Sequence, residues 1–144
     1  KVLIEAGGNV NQARTTDGAS PLYIASEKGN VAIVKVLIEA GGNVNQATTT
    51  DGVTPLYMAS QNGHVDTVKV LIDAGGDINQ ANHQGSTPLY AASWEGDIEM
   101  VQLFLQQPNI ELNTINKYGK TALTKATEEN FDAIVQLLTN AGAQ

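Results

Sequence analysis

Apolar residues fall at Val65, Val68, Leu71 and Ile72 among polar neighbours, the three-and-four spacing of a helix that buries one stripe. The glycine pair Gly75-Gly76 closes it. Upstream, Thr54 is placed to cap a helix whose first position is Pro55, where a missing N–H costs nothing. Gly63, about two turns later, can take the left-handed conformation that ends such a helix. Ile78-Asn79-Gln80-Ala81 and the turn formers up to Gly85 are too short and polar for a third helix and suit an extended, hairpin-like loop. The predicted unit is helix, turn, helix, projecting loop.

This pattern returns along the chain. Ser20-Pro21-Leu22-Tyr23-Ile24-Ala25-Ser26 is followed by Thr54-Pro55-Leu56-Tyr57-Met58-Ala59-Ser60 and by Thr87-Pro88-Leu89-Tyr90-Ala91-Ala92-Ser93, with the prolines 34 and then 33 positions apart. A worn copy, Thr121-Ala122-Leu123-Thr124-Lys125-Ala126-Thr127, begins 34 positions after Thr87. Gly29, Gly96 and Asn130 stand where Gly63 does. Residues 1–13 are identical to 35–47, and 69–81 differ from them only by Glu→Asp, Asn→Asp and Val→Ile, a likeness that points to duplication. A fixed period of this size marks a stacked, all-α array, in which Leu22, Leu56, Leu89 and Leu123 form one buried row. The chain reads as one domain of a partial unit (1–13), three full repeats (14–47, 48–81 and 82–114) and a capping repeat (115–144).

The copies differ in informative places. The loops from Asn11 to Gly18 and from Asn45 to Gly52 are one residue longer than that from Asn79 to Gly85, which predicts larger tips. Gln106-Gln107-Pro108-Asn109-Ile110 replaces the Ala-Gly-Gly pattern, so the end of that helix is expected to be remodelled around Pro108. In the last repeat Lys125, Asp132 and Thr139 replace apolar residues at stacking positions, as the outer unit of a solenoid requires. On this reading the C-terminal end is natural, and the N-terminal end, which opens inside a repeat and without Met, was cut.

The 144 residues give room for one domain, and 42% hydrophobic with 5% aromatic residues suits a thin aliphatic core. No apolar run reaches membrane-spanning length, and no signal peptide is recognisable at the start. Zero cysteines exclude disulfides, thiolate metal sites and a thiol nucleophile, and fit an intracellular, cytoplasmic protein. A net charge of −7 repels phosphate backbones, which argues against nucleic acid and leaves a basic peptide or protein surface as the compatible partner.

The Thr-Pro-Leu-Tyr-x-Ala-Ser phrase, the run from Gly63 to Gly75 and Asp77-Ile78-Asn79 together resemble ankyrin repeats, and the resemblance covers the whole chain. One departure is systematic: Tyr23, Tyr57 and Tyr90, and Thr124 in the last copy, stand where the family has His. The resemblance implies binding, usually of proteins, on a concave face of loop tips and first helices. Carried over by position, that face comprises Asp17, Ala19, Glu27 and Lys28; then Asp51, Val53, Gln61 and Asn62; then His83, Gln84, Ser86, Trp94 and Glu95; then Lys117, Tyr118, Lys120, Glu128 and Glu129.

Trp94 stands out. It is the only tryptophan, and its counterparts are the polar Glu27, Gln61 and Glu128. Indoles are costly to leave wet and enriched among binding hot spots, so it is read as a partner anchor, with packing over a neighbouring helix as the competing account. Tyr118 is a second anchor, and Glu95, Asp51 and Glu128 are expected to orient a basic ligand. The recurring tyrosines are read as framework.

No catalytic or cofactor-binding arrangement is recognisable. His64 is read as structural or capping, lone His83 argues against a metal, and the glycines sit at helix ends rather than in a phosphate-cradling run. The leading reading is a non-enzymatic, monomeric protein-interaction module of a scaffold or adaptor. The alternative is a regulatory or spacer array within a larger enzyme, channel or secreted host-directed effector.

Overall fold

The computed structural model describes residues 9–144, so Lys1 to Gly8 of the opening partial unit lie outside the described residues. The described chain forms eight helices in four pairs: α1 (Pro21–Lys28) with α2 (Val31–Glu39), α3 (Pro55–Gln61) with α4 (Val65–Asp73), α5 (Pro88–Glu95) with α6 (Ile98–Leu105), and α7 (Ala122–Glu128) with α8 (Asp132–Asn140). First helices stack on first helices along the array, and α2 stacks on α4 and α6 on α8.

Each first helix starts where its sequence dictates. Ser20, Thr54, Thr87 and Thr121 are extended, and their hydroxyls accept the N–H of Tyr23, Tyr57, Tyr90 and Thr124. The last copy lacks the proline but completes a capping box, because the Thr121 N–H donates to Thr124 Oγ1 at 2.7 Å. Thr124 thus has a local reason to stand where the other copies carry Tyr. The helices end as expected too, with Gly29, Gly63 and Gly96 at positive φ and Asn130, at φ 62°, the one described non-glycine residue there.

The buried row is real but incomplete. Leu22, Leu56 and Leu89 are at most 1% exposed. Leu123 stands in the same row but is only half-buried, because no described repeat covers its outer side. The projecting loops form no strands among the described residues; each is closed by backbone pairing such as Thr48 N–H to Val53 O at 2.9 Å.

A recurring asparagine stitches the repeats together. Asn45 Nδ2 donates to Gly75 O at 3.3 Å while its Oδ1 accepts the Asp77 N–H at 2.7 Å. Asn11 does the same one repeat earlier and Asn79 one repeat later. Asn79 reaches Asn109 O, so the helix end remodelled around Pro108 still presents the carbonyl that the clamp needs. Net hydrogen bonds of this kind contribute about 1 kcal/mol each and fix the rise between units.

Candidate functional site

The loop tips form a continuous edge because each is tied to the next by main-chain hydrogen bonding. Thr49 N–H donates to Asp17 O at 2.9 Å, His83 N–H to Asp51 O at 2.8 Å and Lys117 N–H to Gln84 O at 2.8 Å. The first two tips are wider, closed by Gly18 N–H to Arg14 O and Gly52 N–H to Thr48 O, whereas the third closes one residue sooner, from Gly85 to Asn82. Arg14 is spent locally, with Nε 3.0 Å from Asp17 Oδ1.

Behind this edge run Tyr23, Tyr57 and Tyr90, all buried. Burial, reinforced by Tyr90 and Glu95, pushes the Tyr57 phenol up to about 12, so it remains a neutral donor. Trp94 extends the row outward and is 49% exposed. Its ring meets Tyr90 edge-on, with centroids 5.8 Å apart and planes at 83°. Lys125 Nζ, delivered by α7 of the next repeat, lies 4.1 Å from the Trp94 centroid.

That ammonium is held by Glu129 at 3.3 Å and Glu128 at 3.7 Å, and Glu128 also pairs with Lys120. The Lys120 hydrogen bond keeps the Glu128 carboxyl below its ordinary range. Between the Trp94 wall and the fourth loop lies a hollow of about 390 Å³, lined by Tyr57, Tyr90, Trp94, Tyr118, Lys120 and Lys125, with Asn82, Gln84 and Ser86 at its loop side. Across Trp94 lies a smaller hollow of about 170 Å³, bounded by Tyr57, Gln61, Ala91 and Glu95. Trp94 is the ridge between them.

The family model for ankyrin repeats in three copies matches residues 1–82 and again 74–144. The chain belongs to the ankyrin-repeat family. No curated protein matches it. The all-helical repeat fold is that of a family whose members are generally protein-interaction modules, and no described helix is long and apolar enough to cross a membrane.

Within this ankyrin array the predicted face separates into three groups. Trp94, Tyr118 and Gln84 meet in the larger hollow, Gln61 and Glu95 flank the smaller one, and Glu128 stands behind the lysines. Asn62 and His83, although exposed, are committed to neighbouring repeats. Asn62 Nδ2 and His64 Nε2 both bond Glu27 O, at 3.0 and 2.9 Å, and His83 Nδ1 bonds Thr50 O at 3.2 Å. Glu27 and Asp51 are exposed on the first two repeats, and Lys28 lines an apolar hollow of about 500 Å³ at the opening end, beside Val10, Ile24 and Leu37.

Four expectations are corrected. Ala19, Val53 and Ser86 are buried, so Ala19 and Val53 are packing sites rather than contact sites, and Ser86 only edges the larger hollow. Of the two roles read for His64, the structural one holds and the cap does not: it makes no side-chain cap on α4, its ring lying over Gly29 with Nε2 on Glu27 O of the preceding repeat. Lys125 faces back onto Trp94 instead of outward from the end of the stack. The anchor account of Trp94 lacked its packing: one edge rests on Tyr90, and about half of the residue remains exposed. Sequence reasoning left out Lys125, Tyr57, Tyr90 and Asn82; the signal for Lys125 was its departure from Ile24, Met58 and Ala91 one repeat after the Trp94 anomaly.

Proposed function

We propose that this ankyrin array is a non-enzymatic protein-interaction module of a scaffold or adaptor, binding a partner protein or peptide along its loop tips and first helices with Trp94 as anchor. The observation that carries this reading is the half-exposed indole, braced on one side by Tyr90 and on the other by Lys125. A rigid aromatic held by two repeats loses little conformational freedom on binding, which is the condition for a hot spot. Glu27, Asp51 and Glu95 stand exposed along the first three repeats and favour basic residues of the partner there. The reading places the protein in the cytoplasm, as a monomer that binds no nucleic acid.

The test is affinity capture with the intact chain and a Trp94→Ala matched control, followed by titration of each recovered partner. Partners retained by the parent and lost by the variant support the reading. Partners retained equally by both place the anchor elsewhere and overturn it.

A further inference from the structure

The hollow between Trp94 and the fourth loop has a chemistry unlike the rest of the molecule. The chain carries 15 Asp and Glu against 8 Lys and Arg, yet no carboxylate lines this hollow while two lysines do. The hydroxyls of Tyr57, Tyr90, Tyr118 and Ser86 and the ammoniums of Lys120 and Lys125 can all donate into it. Ser86 keeps that capacity because its Oγ already accepts from Asn116 Nδ2 at 3.1 Å, leaving its own O–H to donate. Glu128 and Glu129 hold the ammoniums without lining the hollow, and an ammonium has three protons to give. Asn82 and Gln84 offer amide oxygens at its loop side, but what the lining lacks is an anionic acceptor.

Resting on the partner-binding reading above, we infer that this hollow receives the side-chain carboxylate of an Asp or Glu in the partner segment, with an apolar residue beside it packing on Trp94. Trp94 walls a second hollow on its other side, where Gln61 and Glu95 stand, so the bound segment crosses the ridge and continues. A carboxylate inside a through-running segment fits this layout; a chain-terminal carboxylate would leave one side of the ridge empty. The partner is therefore bipolar: acidic toward Lys120 and Lys125, basic toward Glu95 and the first repeats. Charge complementarity of this kind fixes the direction in which a segment lies.

The experiment is selection of a random 12-residue peptide library on the intact chain, with sequencing of the recovered peptides and calorimetric titration of the best one. The recovered sequences are expected to carry an acid next to an aromatic or aliphatic residue. Replacing that acid by its amide is expected to weaken binding roughly tenfold, as is Lys120→Met or Lys125→Met in the protein. Lys35→Met, exposed on α2 and outside the predicted face, is expected to change affinity less than twofold, about 0.4 kcal/mol by the same conversion. Thermal unfolding of each variant, and the peptide amide on the parent protein, keep the test independent of any folding defect.

Recovered peptides without an acid, equal binding of the amide, or recovery of no peptide would each overturn the inference. Peptides that need Trp94 but neither lysine also overturn it while leaving the anchor reading in place. Peptides that need the lysines but not Trp94 keep the carboxylate site and remove the anchor.

Discussion

Gln61 and Trp94 occupy the same place at the ends of α3 and α5, and the helices beneath them are built alike. Thr54 and Thr87 cap them, Tyr57 and Tyr90 are buried, Leu56 and Leu89 are at most 1% exposed, and Gly63 and Gly96 end the turns at φ 78° and 73°. Around Gln61 the next repeat offers Ala91, which is small and buried. Around Trp94 it offers Lys125, whose ammonium lies on the ring. The framework is therefore indifferent to what it displays. A site arises where two consecutive repeats vary together, at positions about one period apart, and neither repeat contains it alone.

The largest effect tests the shared framework. Leu56→Ala and Leu89→Ala each empty a fully buried site covered on both sides, and each is expected to cost about 3 kcal/mol in denaturant unfolding. Leu123→Ala, half-buried in the same row, is expected to cost about 1 kcal/mol, since less apolar area is lost. Unequal costs for the two central leucines would break the equivalence of the two repeats; a Leu123 cost matching theirs would mean that its outer side is covered.

The second effect tests what is displayed. Trp94→Ala is expected to weaken partner binding roughly 30-fold, about 2 kcal/mol, with under about 1 kcal/mol lost from stability. Gln61→Ala is expected to leave affinity within about twofold. Gln61→Trp is expected to add no second anchor, because Ala91 supplies no cation to brace the ring. If Trp94→Ala unfolds several kcal/mol more easily, internal packing is its chief role, and thermal unfolding beside the titration separates the two.

The helices, their caps and their glycine ends were legible because each depends on a few adjacent residues: Thr54 and Pro55 at one end, Gly63 at the other. The depth of Leu123 was not, since burial there depends on what lies beyond it in space. The roles of Asn62 and His83 were hidden for a related reason. Both look like free polar groups on a loop face, and only the stacking distance brings them to carbonyls of the preceding repeat. Trp94 was legible as an anomaly within its own copy, but its partner Lys125 was read as an outward-facing cap. A one-dimensional comparison of copies shows that position 125 has changed without showing which neighbour it turns toward. The clamp of Asn11, Asn45 and Asn79 was written in the period, and its signal was recurrence rather than variation.

A third effect separates the two repeats at their helix ends. A Cβ at Gly63 would find only Asp97 Oδ2, at 3.4 Å, whereas one at Gly96 would lie 2.8 Å from Phe131 Cζ. Both positions have positive φ, so Gly63→Ala is expected to cost about 1 kcal/mol from backbone strain alone. Gly96→Ala must in addition displace the Phe131 ring and is expected to cost about 2 kcal/mol. Pairing Gly96→Ala with Phe131→Leu is expected to recover part of the difference in a double-mutant cycle. Additive costs would mean that the ring does not rest on Gly96.

The smallest effect concerns acid. Lys120 holds the Glu128 carboxyl below its ordinary value of 4.5, so the folded state binds this proton less readily than the unfolded state does. The pair's contribution is then fully present above that value and is lost as pH falls through the lower, folded one. Around Gln61 and Asn62 the corresponding positions are uncharged, so no such loss is expected there. Because Trp94 is the only tryptophan, its emission reports on the third and fourth repeats alone. Protonating Glu128 frees Lys120 and loosens one of the two carboxylates that hold Lys125 over the indole. The emission is therefore expected to change below pH 4.5, before global acid unfolding seen by circular dichroism. Glu128→Gln is expected to abolish that early change while leaving the later unfolding in place. An early change that survives in Glu128→Gln would assign it to another carboxylate and disconnect Glu128 from the ridge.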